Sequence, residues 1–141
     1  LELRPEHLTA TPLDRLLTQL AEAFTGRMGT PVQVTANCDP HYKPPPAVQI
    51  AVYRIAQEAL NNVAKHAHAQ HVTINLALRP GAIRLGVLDD GRGFDVPARS
   101  RERLGIAILH ERAAEIGARL TIDSAPGMGT QVFLFWNEAE A

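Results

Sequence analysis

The chain has 141 residues, one domain's length, enough to bury roughly two thirds of the surface its unfolded form exposes. Hydrophobic residues make up 45% and charged residues 21%, which excludes a disordered chain. Fourteen Lys and Arg against fifteen Asp and Glu leave a net charge of -1, with neither the basic excess nor the basic stripe of a nucleic-acid binder. The single cysteine, Cys38, cannot form an internal disulfide, and no apolar run approaches the ~18 residues of a membrane span. The chain lacks an initiator Met and opens Leu-Glu-Leu-Arg-Pro, unlike a signal peptide, so the expectation is a soluble fragment of a longer chain.

Leu13, Leu16, Leu17, Leu20 and Phe24 recur at helical steps and predict an amphipathic helix. Thr11 is its expected cap, Pro12 lies in its first turn, and Gly26 or Gly29 ends it. Residues 32–35 alternate as a short strand. The run DPHYKPPP holds four prolines in eight residues and excludes regular structure. A second helix is expected over about 47–67. HVTINLAL (71–78) and 82–88 alternate about Pro80-Gly81 and predict an antiparallel hairpin with one buried face. After DDGRGF, a third helix is expected over about 104–116, ended by Gly117. Strands at 120–122 and 131–136 flank a tight turn at 126–129. An antiparallel or mixed sheet with helices on one face accommodates this order.

Four places can carry chemistry. Glu58, Asn62, Lys65 and His66 are four, three and one residues apart, so a helix sets them on one stripe beside an apolar one. A solvated polar face is the plainer reading, yet two successive asparagines, Asn61 and Asn62, are poor choices for a helix interior. Asp89-Asp90-Gly91-Arg92-Gly93 ends a strand, where a carboxylate can accept a ligand amino group and glycines admit close approach. An ordinary loop turn explains it equally well in isolation. Gly105 begins a helix, whose free N–H groups suit phosphate, and Gly127-Met128-Gly129-Thr130 turns into the last strand. Neither a P-loop nor a Gly-x-Gly-x-x-Gly fingerprint occurs.

Taken in order and spacing, QEALNNVAKHA, DDGRGF, LGIAILHERAAEIGA and SAPGMGTQVFLF resemble the asparagine box and successive glycine boxes of the GHKL ATPase superfamily. YRIAQEALNNVAKHA and HERAAEIGA most resemble the ATP-binding domain of sensor histidine kinases, in the branch of the nitrate sensors and the lipid-fluidity thermosensor. The resemblance spans nearly all of residues 1–141 as one domain. It implies a two-layer α/β sandwich, a mixed sheet covered on one face by three helices (the Bergerat fold), with an ATP lid over about 94–104.

It also implies roles by position. Asn62 would ligate Mg²⁺ and bridge it to phosphate, and Glu58 would orient or deprotonate the nucleophile. Lys65 and His66 would reach phosphate or sugar. Asp89 would accept the adenine amino group with support from Thr130, while Gly91 and Gly93 let the backbone pass close to the base. Gly127 and Gly129 complete the last glycine box, and Gly105 opens a helix facing the phosphates. Arg103 stands where the family's Gly-x-Gly-Leu usually has its first glycine, leaving either a stiffer lid or an extra phosphate contact.

The implied function is to bind ATP with Mg²⁺ and donate the γ-phosphate to a histidine on a separate dimerisation domain. The partners would be that domain and, through it, a response regulator, within the cytoplasmic part of a homodimeric kinase, soluble or membrane-anchored, with no nucleic acid. A serine kinase inhibiting a sigma factor, or a non-catalytic nucleotide-sensing module, are the alternatives. His66, His68 and His71 do not fit a zinc spacing, and His110-Glu111 lies where the family has no phosphoacceptor. Cys38 reads as an inert thiol, and Phe133 and Trp136 as packing residues.

Overall fold

A computed structural model of the protein describes residues 4–93 and 103–141. The chain first forms α1 (Pro5–Ala10), an element the sequence did not announce, with proline in its first turn. Leu8 on α1 is fully buried, and its end is held from a distance. The buried Gln49 amide donates to the carbonyls of Leu8 (2.7 Å) and Thr11 (2.8 Å), two groups a helix end would leave orphaned. Helix α2 (Leu13–Met28) buries Leu13, Leu16, Leu17, Leu20 and Phe24 and ends at left-handed Gly29, as its spacing predicts. Thr11 is not its cap. The Thr11 N–H instead closes α1 on the His7 carbonyl, and Pro12 takes the cap position of α2 with no side-chain hydrogen bond.

Strand β1 (Val32–Cys38) is longer than expected, and α3 (Pro46–Asn62) follows the proline-rich run. The second helix does not continue unchanged to residue 67. From Val63 to Ala67 it widens into a π-helical turn that ends at His68, at φ 50°. The hairpin forms as predicted, with β2 (Val72–Arg79) and β3 (Ala82–Asp89) turning at Gly81. Helix α4 (Arg103–Glu115) stops at left-handed Gly117, where Ala118 N–H reaches the Ala113 carbonyl at 2.9 Å in a Schellman closure. Strands β4 (Arg119–Ser124) and β5 (Thr130–Asn137) complete the sheet.

The sheet order is β1-β2-β3-β5-β4, parallel between β1 and β2 and antiparallel elsewhere. Alternate residues of the strands (Ile74, Leu76, Ile83, Leu85, Val132, Leu134, Trp136) bury one face against α2, α3 and α4. This is the expected two-layer mixed α/β sandwich, with α1 as a small fourth helix packed on α3. Trp136 belongs to the core. Phe133 does not, because it points to the opposite face, where 41% of it is exposed.

Candidate functional site

The end of β3 and the start of β5 meet at one corner of the sheet, where Asp89 and Thr130 are direct cross-strand partners. The two loops leaving this corner lie backbone against backbone. A Cβ on Gly129 (φ 74°) would strike the Asp89 carbonyl oxygen, and one on Gly93 (φ 62°) would strike the Ala125 carbonyl oxygen. The Gly127 N–H donates to the Arg92 carbonyl. Gly93 and Gly129 are therefore required first by the packing of the two loops on each other, before any ligand is considered.

Asp89 is half-buried, and its Oδ1 accepts the Gly91 N–H at 2.8 Å. Burial pushes its carboxyl pKa up, and the backbone of Gly91 and of Thr130 opposes that rise only in part. Its charge is thus under-solvated in the free protein, so a neutral donor arriving from a ligand meets a receptive acceptor. Thr130 Oγ1 lies 2.9 Å from Ser124 Oγ, which in turn lies 3.1 Å from the Gly129 carbonyl oxygen. The two hydroxyls thus share a hydrogen bond in which either can donate.

Asp90, to which the sequence assigned no role, faces away from this group and closes the other side of the corner. Its carboxylate accepts the backbone N–H groups of Gln70 and His71, each at 2.8 Å, and His71 Nδ1 at 2.7 Å. The His71 hydrogen bonds and the Gln70 N–H hold its pKa down at about 2. Two adjacent aspartates thus have opposite environments, which the letters DD alone could not separate. Ser124 was missed too, since a lone serine in a strand carries no signal.

On the helical side, Asn62 is half-buried at the end of α3 and abuts the first turn of α4. A Cβ on Gly105 would lie 2.8 Å from Asn62 Oδ1 and 3.2 Å from Nδ2. Residues far apart in sequence are so brought together, a carboxamide and a helix N-terminus. Glu58, also half-buried, sits one turn earlier on α3. Lys65 departs from the stripe that 3.6 residues per turn would draw, because it falls inside the π turn. It is exposed and lines a cleft of about 570 Å³ with Arg27, Thr30 and His68. His66 lies in the same turn; its side chain, that of Arg103, and residues 94–102 of the lid expected over 94–104 lie outside the described residues, while 103 and 104 already belong to α4. Among the described residues, no three His, Cys, Asp or Glu side chains could hold a metal together.

Residues 47–140, from the first turn of α3 to just beyond β5, match the histidine kinase-, DNA gyrase B-, and HSP90-like ATPase family. The chain belongs to that ATPase family. Sensor histidine kinase LiaS of Bacillus subtilis is 33% identical over 132 residues, 94% of this chain and 36% of the relative. Sensor protein VraS of Staphylococcus saprophyticus is 36% identical over 91 residues, 64% of this chain and 26% of the relative. The chain therefore spans about a quarter to a third of the curated relatives it matches. The histidine kinase domain of a blue-light-activated kinase from Erythrobacter litoralis superposes with TM-score 0.74 at 24% identity, covering 93% of this chain and 63% of that one. A mycobacterial sensor histidine kinase, MprB, gives 0.65 at 19% identity over 90% of this chain and 95% of that one. Both confirm the fold. The resemblance drawn from the four boxes thus holds: this is an ATPase domain of the sensor histidine kinase kind.

Proposed function

We propose that this ATPase domain binds ATP with Mg²⁺ between the Asp89 corner and the Asn62–Gly105 contact, and donates the γ-phosphoryl group to a histidine on a separate dimerisation domain. The observation that carries this reading is the carboxamide of Asn62 held against the N-terminus of α4. That arrangement offers a hard oxygen donor beside helix N–H groups, which suits a divalent ion and phosphate oxygens together. Mg²⁺ bound there would neutralise charge on the phosphates. Asn62 would hold it, its amide oxygen being the kind of hard ligand of which Mg²⁺ takes few from a protein.

At the other end, Asp89 would accept the adenine amino group, Thr130 would support it, and Gly91 and Gly93 would line the base. Lys65, His66 and Arg103 would approach the phosphates. Glu58, one turn before Asn62, would orient the incoming imidazole and take its proton as the P–N bond forms and the bond to ADP breaks. Such transfer needs positioning and charge neutralisation more than covalent help from the protein. In this reading the domain works in the cytoplasmic part of a homodimeric kinase and passes phosphate on to a response regulator. No described helix is long and apolar enough to cross a membrane.

The chain incubated alone with γ-labelled ATP should bind nucleotide and gain almost no acid-labile phosphate. Adding dimerisation helices with their histidine should restore labelling, on those helices. Glu58→Gln should then slow transfer while nucleotide still binds, and Asn62→Ala should weaken ATP more with Mg²⁺ than without it. Acid-labile label on His110 or among His66, His68 and His71 would overturn the reading. Acid-stable label on a serine of another protein would replace it with the sigma-factor alternative. Nucleotide binding indifferent to Mg²⁺, with no transfer to supplied helices, would leave a sensing module.

A further inference from the structure

The sheet face turned away from the helices carries its own pattern. In register across five strands run Asn37, Ala77, Arg84, Phe135 and Arg119, each the direct partner of the next. The neighbouring row holds Gly86, Phe133 and Thr121. Together these rows line an open hollow of about 600 Å³. A Cβ on Gly86 would come within 3.2 Å of the Phe133 ring, so the bare position lets that ring lie down over β3 while staying exposed.

The charges here are one-sided. The guanidinium carbons of Arg84 and Arg119 lie 5.1 and 4.9 Å from the centroid of the same Phe135 ring. Among the described residues, Arg119 pairs with one carboxylate, the exposed Glu140 at 3.5 Å. Arg84 meets no carboxylate among the described residues. Two like charges gathered about one ring, beside an exposed second ring, form an anion site with an apolar floor.

We propose that this face docks an acidic amphipathic helix of a partner protein. The two arginines stand two strands apart, about 9.6 Å at the usual ~4.8 Å strand spacing. Carboxylates seven residues apart on a helix are separated by ~10.5 Å along its axis. A helix laid along the row, across the strands, can therefore set one carboxylate on each guanidinium and its intervening apolar side chains on Phe135 and Phe133. A single-stranded nucleic acid fits less well. Its phosphates need a continuous basic track, whereas the hollow holds no cation besides the two arginines, its remaining lining being Thr, Asn, Ala, Gly, Leu and Phe. None of these residues belongs to the nucleotide site, so the proposal stands apart from the phosphotransfer reading.

The probe is a synthetic alanine-based helical peptide with glutamates at i and i+7 and leucines at i+3 and i+4, titrated into the ¹⁵N-labelled chain. Amide shifts should be confined to β3, β4 and β5. Affinity should fall about tenfold when the peptide's glutamates become glutamines, and by a similar factor for Arg84→Gln, because a charge-assisted pair is lost. Phe133→Ser should weaken binding of both peptides. Both positions are exposed, and an unchanged dispersed amide spectrum checks that each variant is folded. Equal binding of the Glu and Gln peptides, or shifts mapped to another face, would overturn the proposal. Tighter binding of an oligothymidylate than of the peptide at the same salt would overturn it in favour of nucleic acid.

Discussion

Asp89→Asn separates what the Asp89 carboxylate costs the fold from what it does for a ligand. Asn keeps an oxygen for the Gly91 N–H, which lies 2.8 Å from Oδ1 in the parent, so the loop should close as before. The burial that pushes the Asp89 pKa up disfavours its charged form in the folded state. An acid with a raised folded pKa makes the fold more stable as pH drops through that value and less stable at neutral pH. The neutral amide removes this cost, so the ligand-free variant should melt no lower than the parent at pH 7. Binding should move the other way. The second carboxylate oxygen is replaced by an NH₂ donor facing an amino donor, losing a charge-assisted hydrogen bond of about 1.5–3 kcal/mol. At 1.4 kcal/mol per decade this is roughly a 10- to 150-fold rise in Kd for ATP, measured by calorimetry. Parental affinity should also fall on acidification, beginning at a higher pH than an ordinary carboxylate would set, and the variant should lack that limb. Unchanged affinity together with an unchanged pH profile would refute the placement of adenine at Asp89.

Gly129→Ala drives a Cβ into the Asp89 carbonyl from a left-handed backbone, so it should destabilise the fold by about 2–5 kcal/mol, read by denaturant unfolding. Gly105→Ala meets only the movable tip of Asn62, so stability should change by less than about 1 kcal/mol while the Mg²⁺-dependent part of ATP affinity drops in calorimetry. Asp90 has a folded pKa of about 2, below the ~3.9 of an unfolded aspartate, so the stability it contributes is present above pH 4 and disappears as pH falls towards 2. Asp90→Ala should melt lower at pH 7 and lose that portion of the acid-induced decline, a comparison made by thermal melts across pH.

Elements with two or more turns or strand alternations were legible in the sequence, because periodicity reports which face is buried. Helix α2 and the β2–β3 hairpin formed where their leucines and alternating residues placed them. Helix α1 was not legible, since six residues hold too little periodicity and its end is satisfied by Gln49 from 41 residues away. The π turn was invisible for a related reason: nothing in VAKHA marks the change of pitch that moves Lys65 off the stripe. At the site, residue types were readable and their obligations were not. The glycines looked like openings for a ligand, yet Gly93 and Gly129 are spoken for by main-chain oxygens of the facing loop. Asp89 and Asp90 are identical letters, one half-buried and receptive, the other consumed by Gln70 and His71.

The strand order also sets a sequence of assembly. Strands β2 and β3, and likewise β4 and β5, are hairpin neighbours that can pair with little loop closure. The parallel strand β1 can join only after the chain has crossed over through α3, a contact of much longer range. The corner holding Asp89, Gly129 and Thr130 needs the β3–β5 pairing, which joins the two hairpins across the whole of α4 and is as long in range as the β1–β2 contact, and Asn62 rides on the crossover itself. Neither hairpin alone therefore holds any half of the site, so a folding intermediate with only its local pairs formed should grip neither an adenine ring nor a triphosphate.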